Sequence, residues 1–169
     1  MNHSTSPVRA VYAGTFDPIT LGHMDLVARG AALFGRLIIA VAVGHHKKTM
    51  FTLDERMAMV REVSAGHGNV EVRPFDGLLT DFLRAAEATV VLRGVRTVTD
   101  CDYEFQMAAM NRQLLPAMDT VFLTPSTGLQ HVSASFVREI ATLGGDVSSL
   151  VAPSVLRRVR QQVSGSVEA

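Results

Sequence analysis

Along this chain, short apolar and β-branched runs alternate with stretches whose apolar residues recur at helical spacing. The runs predict strands at residues 8–13, 37–43, 70–73, 89–92 and 120–123. Helical patterns fall between and after them, at residues 25–34, 52–64, 78–87, 100–115 and 135–143, with a last one at 153–163. Residues 37–43 are almost unbroken apolar, as expected of a strand covered on both faces. Thr52-Leu53-Asp54-Glu55 has the form of a capping box. Pro116 stops one helix, Gly144-Gly145 ends another, and Pro153 opens the last. Strand–helix alternation of this kind predicts an α/β fold, a Rossmann-like doubly wound parallel sheet of about five strands with flanking helices and a C-terminal helix. With no linker, repeat or low-complexity tract, residues 1–169 read as a single domain, residues 1–6 being a frayed tail. In such sheets ligands bind beyond the carboxyl ends of the strands.

Composition narrows the function classes. Of 169 residues, 47 % are hydrophobic and 19 % charged, which argues against disorder. Sixteen basic residues balance sixteen acidic ones, so there is no electrostatic footprint for a nucleic-acid partner or an anionic membrane. One cysteine, Cys101, excludes an internal disulfide and fits a reducing compartment. No apolar run approaches a membrane span, and the first residues lack a signal-peptide layout, so a soluble, cytoplasmic protein is expected.

The candidate chemistry gathers at the strand ends. After the first strand comes Gly14-Thr15-Phe16-Asp17-Pro18-Ile19-Thr20-Leu21-Gly22-His23, where helical patterning resumes near Gly22. Free backbone N–H groups and the helix dipole attract phosphate at such a turn. Neither the P-loop nor the GxGxxG pattern is present. Thr15 and His23 would offer a hydroxyl and a neutral imidazole to the same anion. Lys47 and Lys48 follow the second strand, either as a solvated pair or reaching back toward that anion. His45 and His46 lack an acidic or thiol neighbour at ligand spacing, so no protein metal site is expected. Arg93-Gly94-Val95-Arg96 leaves the fourth strand in a pattern suited to bidentate phosphate recognition. Asp100 and Asp102 read as helix-capping acids, while Glu104 either does the same or binds a ribose or adenine edge. Pro125 to Ser135 follows the fifth strand. Its Ser133 or Ser135 would cap a helix that also forms a second phosphate cradle. Met57, Met59, Met107 and Met110 sit at helical spacing, as core or interface residues.

GTFDPITLGH, KKTMFTLDER and RGVRTVTDCDYEFQMAAMNR together resemble the bacterial phosphopantetheine adenylyltransferases, of the HxGH nucleotidyltransferase superfamily. The resemblance implies transfer of AMP from ATP to 4′-phosphopantetheine, giving dephospho-coenzyme A and pyrophosphate. It also implies Mg²⁺ as cofactor, a homohexamer, and coenzyme A as a feedback ligand. Thr15, Phe16, His23, Gly94, Val95, Arg96 and Glu104 would contact ATP, with Leu129, Gln130, His131, Val132, Ser133, Ala134 and Ser135 following its polyphosphate. Thr15, Lys47, Leu79 and Arg93 match the family's phosphopantetheine contacts. His23, Thr15, Lys47 and Arg96 would be the catalytic donors. Three positions depart from the family pattern: Thr20 at the first position of HxGH, Ala13 where proline is frequent, and Ala134 in place of a hydroxyl residue.

A phosphate monoester is already anionic near neutral pH, which explains the lack of a nucleophile–base pair. Catalysis would then be positioning and charge stabilisation during an in-line displacement, without a covalent enzyme intermediate. Other acceptors, nicotinamide mononucleotide or glycerol phosphate with CTP, fit the Arg93–Glu104 block less well.

Overall fold

The computed structural model describes residues 7–44 and 48–165. Five parallel strands form one sheet in the order β3-β2-β1-β4-β5, which matches the expected doubly wound architecture. They are β1 (Arg9–Gly14), β2 (Arg36–Ala42), β3 (Val70–Phe75), β4 (Val90–Gly94) and β5 (Asp119–Leu123). Between and after them run α1 (Leu21–Leu33), α2 (Leu53–Ser64), α3 (Leu79–Ala85), α4 (Val98–Leu114), α5 (Ala134–Thr142) and α6 (Pro153–Gly165). β1 is central, with Tyr12 opposite Ile39 on one side and Leu92 on the other.

Successive β1 side chains divide between two cores, as the pleat requires. Ala10 and Tyr12 join Leu37, Ile39 and Val41 on a face covered by α1, α2, α5 and α6. Val11 and Ala13 join Ile38 and Ala40 on the opposite face, against α3. Strands are added outward in one direction from β1 to β3 and in the other from β4 to β5, so the crevice at the carboxyl ends of β1 and β4 is the topological switch point of the sheet.

Two boundaries differ from the sequence expectation for definite reasons. α1 begins at Leu21 rather than residue 25, because Thr20 and His23 form a capping box: His23 N–H donates to Thr20 Oγ1, and Thr20 N–H donates to His23 Nδ1. β3 runs past residue 73 to Phe75 and through Pro74, which an edge strand tolerates because one row of its N–H groups has no partner. The methionines divide. Met57 and Met59 are core residues, whereas Met107 and Met110 are exposed on α4.

Candidate active site

Two cavities open at the β1–β4 switch point. The first, of about 470 Å³, is lined by His23, Phe16, Gly94, Arg96, Ser133 and Ser135 among others. The second, of about 250 Å³, is lined by Thr15, Ala42, Leu79, Met107 and Asn111 among others. Ala13, Gly14, Arg93, Tyr103 and Glu104 line both. Arg93 and Glu104 are therefore the partition between the two. Arg93 Nε donates to Glu104 Oε2 at 2.6 Å, Nη2 donates to Oε1, and Nη1 donates to the Ala13 carbonyl at 2.9 Å. This fork-on-carboxylate geometry fixes both side chains with little rotational freedom.

His23 is held by its own helix start. Thr20 N–H donates to Nδ1 at 3.1 Å, so the neutral ring carries its proton on Nε2. Burial, with a smaller contribution from the Arg96 charge, pushes His23 down to about 4. At neutral pH it is an uncharged donor facing the first cavity. The tautomer is thus set by the backbone at position 20, while the threonine side chain there caps α1 by accepting from His23 N–H. The Phe16 ring packs edge-on between Tyr12 and His23, at centroid distances of 5.3 and 5.2 Å. That packing holds the Phe16 backbone at φ 50, a left-handed conformation costly for a non-glycine residue. Gly14 makes room for the same ring: a Cβ there would lie 3.1 Å from Phe16 Cζ. At Gly94 a Cβ would fall 2.5 Å from Leu26 Cδ2, so a larger residue there would force the Leu26 side chain of α1 to shift.

The remaining wall comes from β5 and α5. Asp25 accepts from Ser126 Oγ at 2.6 Å and Ser126 N at 3.0 Å, tying the loop after β5 to α1. Ser133 is the α5 N-cap, accepting from Phe136 N–H at 3.1 Å. Ala134 therefore costs the helix start no cap. Arg96 is steered by Asp100, which accepts from its N–H and Nε, and by the Val132 carbonyl.

The cavities sort the expected site residues. Thr15 lines the second cavity and not the first, whereas its neighbour Phe16 lines the first and not the second. Asp100 stands in the first turn of α4, as expected of a helix-start acid, accepting from the Arg96 N–H just before the Thr97 N-cap, whereas Asp102 lies beyond that turn and accepts from Gln106. Val95 is buried and its N–H donates to the Leu123 carbonyl, so it lines neither cavity. Leu129, Gln130 and His131 likewise line neither. Lys48 is exposed and outside both, while His45, His46 and Lys47 lie outside the described residues. Leu79 lines the second cavity, and Val132 and Ala134 join Ser133 and Ser135 in the first.

Tyr12 and Tyr103 were not foreseen. Tyr12 is 6 % exposed and lines the first cavity. Burial pushes its phenol up, opposed in part by Arg93 and Arg96, so it faces the cavity as a neutral hydroxyl. Its in–out alternation with Val11 and Ala13 was the available signal.

A cytidylyltransferase-like family model matches residues 11–140. The phosphopantetheine adenylyltransferase of Acidovorax sp. (strain JS42) is 54 % identical over 162 residues, covering 96 % of this chain and 98 % of that protein. That of Aromatoleum aromaticum is 56 % identical over 155 residues, covering 92 % and 95 %. The chain belongs to the phosphopantetheine adenylyltransferase family. At the level of fold alone, it is similar to a Plasmodium falciparum nicotinic acid mononucleotide adenylyltransferase complexed with NaAD, with a TM-score of 0.69, 13 % identity, and coverage of 95 % and 96 %. A lipopolysaccharide core biosynthesis protein from Thermoplasma volcanium has a TM-score of 0.52, covering 72 % of this chain and 98 % of its own.

Proposed function

We propose that this chain transfers AMP from ATP to 4′-phosphopantetheine, releasing dephospho-coenzyme A and pyrophosphate, with ATP in the first cavity and the acceptor in the second. The observation that carries the reading is the shared partition. Residues assigned to ATP by resemblance (Phe16, His23, Gly94, Arg96) stand on one side of Arg93–Glu104, and those assigned to the acceptor (Thr15, Leu79) on the other. The acceptor's phosphate would meet the α-phosphorus of ATP at the Gly14 junction, where the cavities adjoin.

The acceptor oxygen attacks in line, the bond to pyrophosphate breaks, and no protein atom bonds to the migrating AMP. His23 Nε2–H and the Arg96 guanidinium would donate to oxygens on which charge accumulates, in positions already set by Thr20 and Asp100. The Tyr12 hydroxyl would add a third donor on that side. Among the described residues no group of three His, Cys, Asp or Glu side chains could hold a metal ion. Mg²⁺ would therefore arrive as the metal–ATP complex, held mainly by the phosphates and water. When bound it would neutralise charge on the departing pyrophosphate.

A homohexamer in the cytoplasm belongs to the same reading. α4 has no buried residue over seventeen positions, and Phe105, Met110 and Leu114 are exposed upon it. Phe105 packs edge-on against Phe122 of the edge strand β5, at 4.9 Å, giving a continuous apolar face. Such a face is characteristic of a subunit contact. Coenzyme A carries the acceptor's own arm and would compete for the second cavity, acting there as a feedback ligand.

Incubation with ATP, Mg²⁺ and 4′-phosphopantetheine, followed by mass detection, tests the assignment. Dephospho-coenzyme A is the expected product. Its absence, with product formed instead from nicotinamide mononucleotide, would refute the acceptor.

A further inference from the structure

Arg56 is 1 % exposed, and no carboxylate lies within hydrogen-bonding distance of it among the described residues. It sits on the apolar face of α2, beside Met57 and Val60. Its guanidinium is occupied by backbone carbonyls. Nη1 donates to Thr15 O at 2.8 Å and to Ala42 O at 2.6 Å. Nη2 donates to Val43 O at 3.1 Å, and Nε to Phe51 O at 3.2 Å. A buried cation is costly, and a packed apolar residue would serve a core at least as well. What an apolar residue cannot do is hold several separate chain segments at fixed spacing.

Those segments matter. Thr15 and Ala42 are two walls of the second cavity, and Val43 precedes the stretch that carries Lys47. Phe51 is held from both sides. Its carbonyl accepts from Arg56, and its N–H donates to Asp17 at 2.9 Å, while Met50 N–H donates to the same carboxylate at 2.8 Å. Asp17 also receives Arg138 from α5, at 3.7 Å. Asp17 thus anchors the turn after β1 to the loop before α2, and Arg56 fixes that turn's distance from the end of β2.

We propose that Arg56 is a positioning residue for the acceptor: it touches no substrate, but sets the width of the second cavity by clamping Thr15 to the end of β2. This rests on the assignment of that cavity to 4′-phosphopantetheine. Lysine keeps the charge but replaces a planar fork with a single ammonium, which cannot span the same carbonyls.

The test is steady-state kinetics on Arg56→Lys and Arg56→Gln, with calorimetric ATP binding as the check of folding. Both variants are expected to bind ATP within about threefold of the parent, while the KM for 4′-phosphopantetheine rises about tenfold or more, a ratio of the size expected when fixed donors are misplaced. Arg56→Lys should be less impaired than Arg56→Gln. Added guanidinium ion should partly lower the acceptor KM of an Arg56→Gly variant, which a general loss of stability would not allow. Equal shifts in both substrates, or a lower active fraction with unchanged constants, would overturn the inference. Loss of folding in both variants would do so too, since Arg56 would then specify the fold rather than the site. An inactive parent protein would instead overturn the acceptor assignment itself.

Discussion

The two cavities are built in contrasting ways although they share a wall. The first is lined by donors whose orientation is set mostly over short range: His23 by Thr20 three residues away, Arg96 by Asp100 four residues away with the Val132 carbonyl added, and Ser133 as the cap of its own helix. The second has walls from distant segments, and Thr15, Ala42 and Leu79 come together only because β1, β2 and α3 pack side by side. A site of the first kind is robust to small shifts of the sheet. The second depends on inter-segment struts such as Arg56. The lesson is that charge stabilisation can be pre-set by short-range capping chemistry, whereas the width of a slot requires long-range bonds.

The strongest way to break this contrast is at His23. His23→Ala should lower kcat by roughly 10²–10³-fold, as for loss of one preorganised donor, with acceptor KM almost unchanged. A pyrophosphate-release assay giving near-parental kcat would remove His23 from the chemistry. Arg93→Ala probes the partition. It should weaken 4′-phosphopantetheine by roughly 10–10²-fold, the worth of a hydrogen bond to a charged group, and ATP by only a few-fold through the stranded Glu104. Equal losses in calorimetry would mean that the cavities do not act as separate subsites.

A pH titration sharpens the comparison next. His23 is depressed to about 4, so kcat should stay insensitive to its protonation from pH 8 down to about 5. The unfolded chain, with its histidine near the ordinary value of about 6.5, binds that proton first as pH falls. Burial of neutral His23 therefore costs stability progressively between about 6.5 and about 4, with no further change below. A kcat inflection near 6.5 that disappears in His23→Ala would contradict the buried neutral ring. The smallest effect on chemistry is expected from Phe105→Glu with Met110→Glu on α4. Sedimentation should show smaller assemblies, with ATP affinity within about twofold, since surface changes away from a site rarely exceed a few tenths of a kcal/mol. An unchanged assembly would remove α4 from the subunit contact.

Much of this protein could be read from one dimension. All five strands and six helices follow from local periodicity, and Thr52…Glu55 forms the expected capping box. The resemblance of the GTFDP and RGVR blocks extended that legibility to the family, and most residues it assigns to ATP do line the first cavity. Thr20 was visible only as a deviation, although its pairing with His23 obeys the same local rule as Thr52 with Glu55.

What the chain could not reveal by itself is which of the two cavities each donor lines, that Arg93 and Glu104 bond to each other, and that Arg56 is a strut. Capping, alternation and turn preference act over a few residues, so the sequence alone determines them. Arg56 lies forty-one positions from Thr15 and Glu104 eleven from Arg93. Such pairings exist only once the sheet has ordered its strands and fixed the distances between them.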